Sequence, residues 1–305
     1  MNSTTVESWF IPLDIIAIIC LALTIALATI ALIIIIMDKT CHTVPMLLTA
    51  NICLTGLLCG IDTIGMNGFT LYNDLKQIEY EDSFCFIIGF FNYSTCALHN
   101  YSYVTSAIYR YITIVHPTRL FWQSARAQII LIGIGWFLAL LFPIVYIFTN
   151  AIVYNVDNQI CQVPLGFSFL ILYAPLFIYI VPVHLVIFIY MKLVRFVRGM
   201  SQRVTAANTL SRAQRDLKMV RRVVTLVQIL FISGFPLSLF IFLSFFNHAP
   251  KYHFRIGFLF VNASMLLVKI TLFQFTDPLK AAIKKILRRR LNIVLPIPAI
   301  TRSLT

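Results

Sequence analysis

The apolar residues of this chain are gathered into runs that are long enough to cross a lipid bilayer. A membrane-spanning helix needs about 20 apolar residues, because roughly 30 Å of hydrocarbon is crossed at about 1.5 Å per residue. None of the runs shows the alternating pattern of about ten residues that is typical of a membrane β-barrel. Seven such runs can be counted, at residues 11–37, 44–70, 84–115, 127–149, 167–191, 219–246 and 254–276. The sequence therefore predicts an all-α membrane protein, a seven-transmembrane helix bundle.

The composition excludes an ordinary soluble domain. Hydrophobic residues make up 60% of the chain and charged residues only 11%, whereas soluble domains carry about a quarter charged residues. The net charge of +13 needs a separate explanation, because basic proteins also include those that bind nucleic acid.

The basic residues explain the charge, since they fall in alternate connections between the runs. Of the 24 lysines and arginines, 20 lie at the joint after run one, at the end of run three and its loop, in the connection between runs five and six, or in the tail. Cytoplasmic loops are enriched in these residues. We therefore expect an extracellular N-terminus, a plasma-membrane location, attraction to anionic membrane lipid and no nucleic-acid partner.

This orientation divides the chain into four parts. We expect an extracellular N-terminus at 1–10, a transmembrane domain at 11–276, a short cytoplasmic amphipathic helix along the membrane at 277–291, and a cytoplasmic tail at 292–305. The first 14 residues hold no base, so we expect no cleaved signal peptide. Asn2 begins an Asn-Ser-Thr sequon in the extracellular part and is a candidate for glycosylation.

Two of the seven cysteines are predicted to form a disulfide. Cys85, at the outer start of run three, and Cys161, in the loop before run five, are the ones that face an oxidising compartment in this topology. A bond between them would tie that loop over the mouth of the bundle. The other cysteines lie within runs or at a cytoplasmic joint, and we interpret them as packing residues.

One arginine stands at the end of the third run, in the stretch Ile-Tyr-Arg-Tyr-Ile-Thr-Ile-Val-His-Pro around Arg110. Together with its spacing of 25 residues from Cys85 and the ordered residues Trp136, Pro143, Pro182, Tyr190 and Pro236, this stretch resembles the rhodopsin-like family of G-protein-coupled receptors over nearly the whole chain. The resemblance implies a receptor that binds an extracellular ligand and activates a heterotrimeric G protein. It implies no cofactor, no metal and no enzymatic activity.

By the same resemblance, the switch residues are Arg110 with its neighbours Tyr109 and Tyr111, Tyr190 on the fifth helix and Pro236 in the bend of the sixth. The family usually has an acid immediately before this arginine, and here that position is Tyr109. Asp216, at the base of the sixth helix, is our hypothesis for the resting partner of Arg110, although an acid among nine bases is equally expected to be solvated. An arginine at a helix end can also simply extend to the membrane interface.

Several positions depart from the family pattern. Gly56 stands where the second helix usually carries a sodium-binding aspartate, and Gly234 stands at the usual tryptophan before Pro236. Lys269 stands at the asparagine of the family's Asn-Pro-x-x-Tyr motif. A lysine in lipid costs several kcal/mol unless it faces the bundle, so we expect Lys269 to point inward, with Gly56 leaving it room and His99 neutral beside it. The ammonium would then replace a sodium ion.

The outer half of the bundle is expected to hold the ligand, because ligands bind between the helices of bundles. The candidate polar residues are Asp62, Asn92, Tyr93, Cys96, Ser238 and Asn262, and for each a hydrogen bond between helices is an equally good explanation. Asn92 stands where the family's amine receptors carry an aspartate, so a monoamine is not expected. A small molecule and a peptide remain open, the latter because the acids from Asp74 to Asp82 would attract a basic peptide.

Two other functions compete with that of a receptor. A transporter or channel would show repeats, paired broken helices or several charges along a path, but we identify only Asp62 and Lys269 within the runs and no repeat. A retinal-binding protein would need a lysine deeper in the seventh helix than Lys269. An enzyme is not indicated by any motif.

Overall fold

The structure is a computed structural model of the chain. It describes residues 10–76, 84–166, 168–201 and 234–293, with isolated positions between 225 and 232. Asn2, a candidate for glycosylation, and Asp216, the hypothetical partner of Arg110, lie outside the described residues.

The described chain is mostly helical. The first half consists of α1 (Phe10–Met37), a 3-10 turn (Lys39–Cys41), α2 (Val44–Lys76), α3 (Cys85–Val115), α4 (Leu120–Gln123), α5 (Ala125–Leu141) and α6 (Ile144–Thr149). A hairpin of β1 (Val153–Asn155) and β2 (Ile160–Gln162) follows. The second half holds α7 (Phe169–Pro175), a π-helical segment (Leu176–Ile180), α8 (Val181–Ser201), α9 (Gly234–Ser244), α10 (His253–Phe275) and α11 (Asp277–Ile293).

Five helical segments of the described chain are long and apolar enough to cross a membrane. They are Phe10–Met37, Val44–Lys76, Ala125–Thr149, Phe169–Gly199 and His253–Phe275. Their length follows from the continuous apolar sequence, which in lipid must satisfy its backbone polar groups internally. The prediction of a helical, multi-pass membrane protein is confirmed in this form.

Local signals explain where several helices begin and end. The hydroxyl of Ser124 accepts a hydrogen bond from the Ala127 N–H at 3.3 Å and caps the start of α5, as polar N-cap residues commonly do. Ser168 does the same for α7 through the Ile171 N–H. Asn150, in the left-handed conformation with φ of 48°, ends α6.

Helix α3 lies at the centre of the bundle and packs against α2, α5 and α8. The Trp136 indole donates to the Asn51 side-chain oxygen at 3.1 Å and links α5 to α2. Near the end of α10, Leu279 of α11 is fully buried in the largest core cluster. The amphipathic segment after α10 therefore packs one apolar side against the bundle.

The connection between α6 and α7 is not helical, because β1 and β2 form an antiparallel hairpin there. The hairpin pairs Val153 with Gln162 and Asn155 with Ile160, which satisfies backbone groups that would otherwise be buried over the bundle. The predicted disulfide between Cys85 and Cys161 is present and joins β2 to the start of α3. We call this end of the molecule the hairpin end.

The charges inside the helices need a correction. Besides Asp62 and Lys269, the spanning helices hold Asp14 in α1, Asp74 in α2 and Arg255 in α10, and all three side chains are at most 9% exposed. Asp74 was expected in an exposed acidic loop. It is instead part of α2, which continues to Lys76, and it pairs with Arg255.

Candidate functional site

A cavity of about 160 Å³ lies between the helices at the hairpin end. Most of its walls are apolar, and most lining residues come from α3, α7, the π-helical segment, α9 and α10. Gln162 of β2 and Leu165, which follows the hairpin, also line it. The disulfide holds β2 at this position, so the hairpin covers the cavity.

Four of the six predicted ligand residues line this cavity, namely Asn92, Tyr93, Cys96 and Ser238. Asp62 and Asn262 are not among the lining residues. Asn262 is fully buried, and neither its side-chain oxygen nor its nitrogen has a hydrogen-bond partner in the described part of the chain.

Polar side chains connect α2, α3 and the hairpin along one wall of the cavity. The Asn92 amide nitrogen donates to the Asp62 carboxylate at 2.9 Å, and the Gln162 amide nitrogen donates to the Asn92 oxygen at 3.2 Å. The Val163 N–H donates to the Tyr93 hydroxyl at 3.2 Å. Asp62 therefore does not reach the cavity directly but orients Asn92, which does.

Lys269 lies in the middle of the bundle with no exposed surface. Its Nζ donates to the Ile52 carbonyl oxygen of α2 at 2.9 Å. A Cβ on Gly56 would overlap Nζ and would lie 2.7 Å from Cε of the lysine. The absence of a side chain at Gly56 is thus a condition for the lysine to occupy this place, because real Cβ atoms do not approach other heavy atoms so closely.

His99 lies beside the lysine and is itself held by two partners. Its Nε2 is 2.9 Å from the Tyr103 hydroxyl, and its Nδ1 is 3.4 Å from the Thr55 hydroxyl. The same hypothetical Cβ on Gly56 would lie 2.9 Å from Cε1 of His99. Gly56, His99 and Lys269, which were grouped from the sequence as a replacement for the sodium pocket, are therefore in one place.

The predicted switch residues lie toward the opposite end of the bundle. Arg110 and its neighbours Tyr109 and Tyr111 are half-buried at the end of α3, and Tyr190 of α8 is buried in the same core cluster against which Tyr111 packs. Among the described residues, no carboxylate forms an ion pair with Arg110. Pro236 lies within α9 and is half-buried.

The sequence of the bundle matches a known family over most of its length. Residues 28–272 match the family described as 7 transmembrane receptor (rhodopsin family). The chain belongs to this family. A comparison with the curated proteins found no significant match.

Membership of the family decides between the predicted functions at a coarse level. Members of the rhodopsin family are receptors, so this protein is a receptor rather than an enzyme. The alternative of a transporter or channel is not favoured. The retinal alternative gains no support from the cavity, because Lys269 is not one of its lining residues and donates to the Ile52 carbonyl on the α2 side.

The structure shows one feature of this receptor that the sequence did not reveal, a tyrosine in the space beside Gly234. A Cβ on Gly234 would overlap Cζ and would lie 2.5 Å from both Cε atoms of Tyr179, which belongs to the π-helical segment. Tyr179 also lines the cavity. Pairing of a glycine on one helix with a large side chain from another has no signal in a single sequence.

A second unforeseen feature is a buried ion cluster at the hairpin end of the receptor. The Arg255 guanidinium contacts both Asp74 oxygens, and one of its nitrogens is 3.3 Å from an Asp14 oxygen. The guanidinium carbon also lies 4.5 Å from the centre of the Phe10 ring. The cluster joins α1, α2 and α10. Asp14, an acid inside an apolar run, was the available signal for it.

The hairpin turn is fastened to the same part of the receptor. The Asn158 side-chain oxygen accepts from the backbone N–H groups of Phe254 and Arg255 at 3.2 and 3.3 Å, at the start of α10. The Thr70 hydroxyl of α2 donates to the Gln159 carbonyl at 3.1 Å. With the disulfide, these contacts fix the cover of the cavity to three helices.

Proposed function

We propose that this receptor binds a small, uncharged, largely apolar ligand in the cavity beneath the hairpin and activates a heterotrimeric G protein at the Arg110 end. The observation that carries the proposal is the chemistry of the cavity wall. Its described lining residues include no aspartate, glutamate, lysine or arginine. A charged ligand would therefore lose its hydration without gaining a counter-ion, which is strongly unfavourable.

The size of the cavity supports a small ligand over a peptide. A cavity of about 150 Å³ accommodates one benzene ring in a well-studied engineered protein, and the cavity here is of similar volume at about 160 Å³. A peptide would have to displace the hairpin, which the disulfide and Asn158 hold in place. Asp74 also offers no attraction to a basic peptide, since Arg255 already neutralises it.

Asn92 is the proposed polar contact for the ligand. Its side chain lines the cavity, and Asp62 and Gln162 fix its orientation through hydrogen bonds. Tyr93, Cys96 and Ser238 complete the proposed contacts, while Asp62 acts through Asn92. Asn262 is retained as a proposed ligand residue only for a conformation in which the cavity extends towards it.

At the other end, we propose the topology of the family, with the N-terminus outside the cell in the plasma membrane. Seven spans then place Arg110, Tyr109, Tyr111, Tyr190 and the α11 helix at the cytoplasmic face. The exposed Lys280 and Lys284 of α11 are available to anionic lipid on that face, while Lys285 pairs with Asp38. The assignment of Asp216 as resting partner of Arg110 and of Asn2 as a glycosylated residue stays a prediction.

We also propose that Lys269 acts as a built-in cation in place of sodium. A buried ammonium requires polar partners, and the Ile52 carbonyl supplies one at 2.9 Å. Ligand-free and ligand-induced signalling should then be the same when sodium in the medium is replaced by choline. A sodium-dependent response would contradict this role.

The first test of the proposed function is ligand-free G-protein activation in cells that express the receptor. Basal activation is expected to be lost in Arg110→Ala, with unchanged amounts of receptor at the cell surface. Lys251→Met, which alters an exposed base at the hairpin end, is the matched control and should leave activation unchanged. Basal activation that persists in Arg110→Ala would contradict the role of the arginine.

The ligand class is tested by a screen of small neutral compounds in the same assay. A compound that activates the receptor should lose potency in Asn92→Leu, which removes the polar contact while keeping the side-chain size similar. Activation by basic peptides, but not by small neutral compounds, would contradict the proposed ligand class.

A further inference from the structure

Two cysteine side chains from different helices meet in the wall of the ligand cavity. The sulfur atoms of Cys59 on α2 and Cys96 on α3 are 3.5 Å apart. Both residues line the cavity. Cys59 is only 2% exposed, whereas Cys96 is half-buried and faces the open space. The proposed ligand contacts include Cys96 but not Cys59, so neither ligand recognition nor G-protein coupling as proposed requires a thiol pair at this place.

We propose that Cys59 and Cys96 form a reversible disulfide, made by a small neutral hydroperoxide that enters the cavity. A disulfide has a sulfur–sulfur bond of about 2.05 Å, so the two atoms need to approach by roughly 1.5 Å. Rotation about the Cα–Cβ bond of each cysteine changes the distance between the two sulfur atoms. The pair is therefore placed for oxidation in the folded receptor.

The oxidation needs a group that accepts the thiol proton, because the thiolate is the nucleophile. The hydroxide released from the peroxide is that group. The Cys96 sulfur attacks one oxygen of hydrogen peroxide, the O–O bond breaks, and the departing hydroxide takes the Cys96 thiol proton and leaves as water. Cys96 becomes a sulfenic acid.

The second step closes the disulfide. The Cys59 sulfur attacks the Cys96 sulfur, the S–O bond breaks, and the hydroxide leaves as water with the Cys59 proton. Two thiols and one hydrogen peroxide thus give one disulfide and two waters. The two sulfurs together lose two electrons, and the peroxide gains them.

The surroundings of the pair select the oxidant. The cavity walls are mostly apolar, its volume is about 160 Å³, and the described lining carries no lysine or arginine to attract an anion. Hydrogen peroxide is small and neutral enough to enter, whereas glutathione disulfide is large and charged. The bond would fasten α2 to α3 beside Asn92, at the wall where the ligand is proposed to bind.

The positions of the cysteines along the chain allow a direct test on the full-length receptor. A protease site is inserted between α2 and α3, the receptor is treated with hydrogen peroxide, and remaining thiols are blocked with a maleimide before denaturation and cleavage. The Cys85–Cys161 bond lies entirely within the C-terminal fragment. Cys96 is the only free cysteine of that fragment, so a covalent link between the fragments requires it.

We expect the fragments to stay joined on a non-reducing gel after peroxide and to separate after reduction. Cys59→Ser and Cys96→Ser should each abolish the link. Cys53→Ser is the matched control, because Cys53 is also a buried cysteine of α2, and it should leave the link unchanged. Glutathione disulfide should produce no link.

A second measurement uses the receptor without the inserted site. Maleimide labelling after denaturation, counted by mass spectrometry, should fall from five free thiols to three, with Cys59 and Cys96 joined in one cross-linked peptide. Separation of the fragments after peroxide, with five thiols still labelled, would overturn the proposal, as would a link that persists in Cys59→Ser. Both readouts are covalent, so their outcome is independent of the signalling proposed above.

Discussion

Removal of the Arg255 side chain tests whether the buried ion cluster holds three helices together at the hairpin end. The guanidinium is 6% exposed, and the carboxylates of Asp74 and Asp14 are 3% and 9% exposed. Breaking a buried pair by removing one partner costs about 3–5 kcal/mol, because the other charge is left buried without compensation. In Arg255→Met two carboxylates lose their shared partner, so we expect the upper part of this range.

A loss of this size is measurable as a change in thermal stability. With roughly 2–4 °C per kcal/mol for a chain of a few hundred residues, the melting temperature of the purified receptor should fall by on the order of 10 °C. Lys251→Met removes the exposed pair with Asp157, whose side chains are 53% and 51% exposed. It should change the melting temperature little, since exposed pairs contribute little.

A compensated variant separates the charge from the packing. Replacing Arg255 by methionine together with Asp74→Leu and Asp14→Leu removes all three charges, and buried ion clusters replaced by apolar residues often lose no stability. We expect this triple variant to melt well above Arg255→Met. The reasoning is refuted if Arg255→Met melts within about one degree of the wild type, or if the triple variant melts at a lower temperature than Arg255→Met.

Three further predictions, at Gly56, Gly234 and Asp38, have definite expected outcomes. Gly56→Ala should destabilise the receptor by about 1–3 kcal/mol through overpacking against Lys269. Lys269→Met in the same chain should recover part of the lost melting temperature. Equal melting temperatures of Gly56→Ala and the wild type would contradict the close contact between Gly56 and Lys269. Gly234→Ala should lower the melting temperature because its Cβ meets the Tyr179 ring, and Tyr179→Ala should relieve that effect. The Thr40 backbone N–H holds the pKa of Asp38 below its ordinary value of 3.8, so the contact between Asp38 and Lys285 at 3.3 Å should persist at neutral pH and weaken as the pH falls below 3.8. In Asp38→Asn, labelling of the buried Cys41 thiol should rise at neutral pH. Unchanged labelling would contradict the idea that the contact between Asp38 and Lys285 anchors α11.

The sequence was sufficient where a single physical requirement decides the structure. Long apolar runs must form helices in lipid, and the compartment of each cysteine selected Cys85 and Cys161 as the disulfide pair. The inward direction of Lys269 followed from the cost of a charge in lipid together with the glycine at position 56. Each of these inferences needs only the residue and its depth in the membrane.

The sequence was insufficient where two distant residues decide the structure together. Arg255 follows Asp74 by 181 residues along the chain, and nothing local to Arg255 shows that it turns inward rather than to water. Asp74 was predicted to be exposed for the same reason. The hairpin was missed because Val153–Gln162 is short and lacks the glycine-containing turn that usually reveals one.

The two glycines at altered family positions show how a lost side chain can be replaced by another helix. At Gly56, the space is filled by Lys269 of α10, and at Gly234 it is filled by Tyr179 of the π-helical segment. In both places a side chain from another element occupies the space beside the glycine. Single-turn π segments are frequent at functional sites, and Tyr179 lines the cavity while its ring contacts α9 at Gly234. Tyr179 thus lies both at the cavity and against α9, because no side chain at Gly234 separates its ring from the α9 backbone.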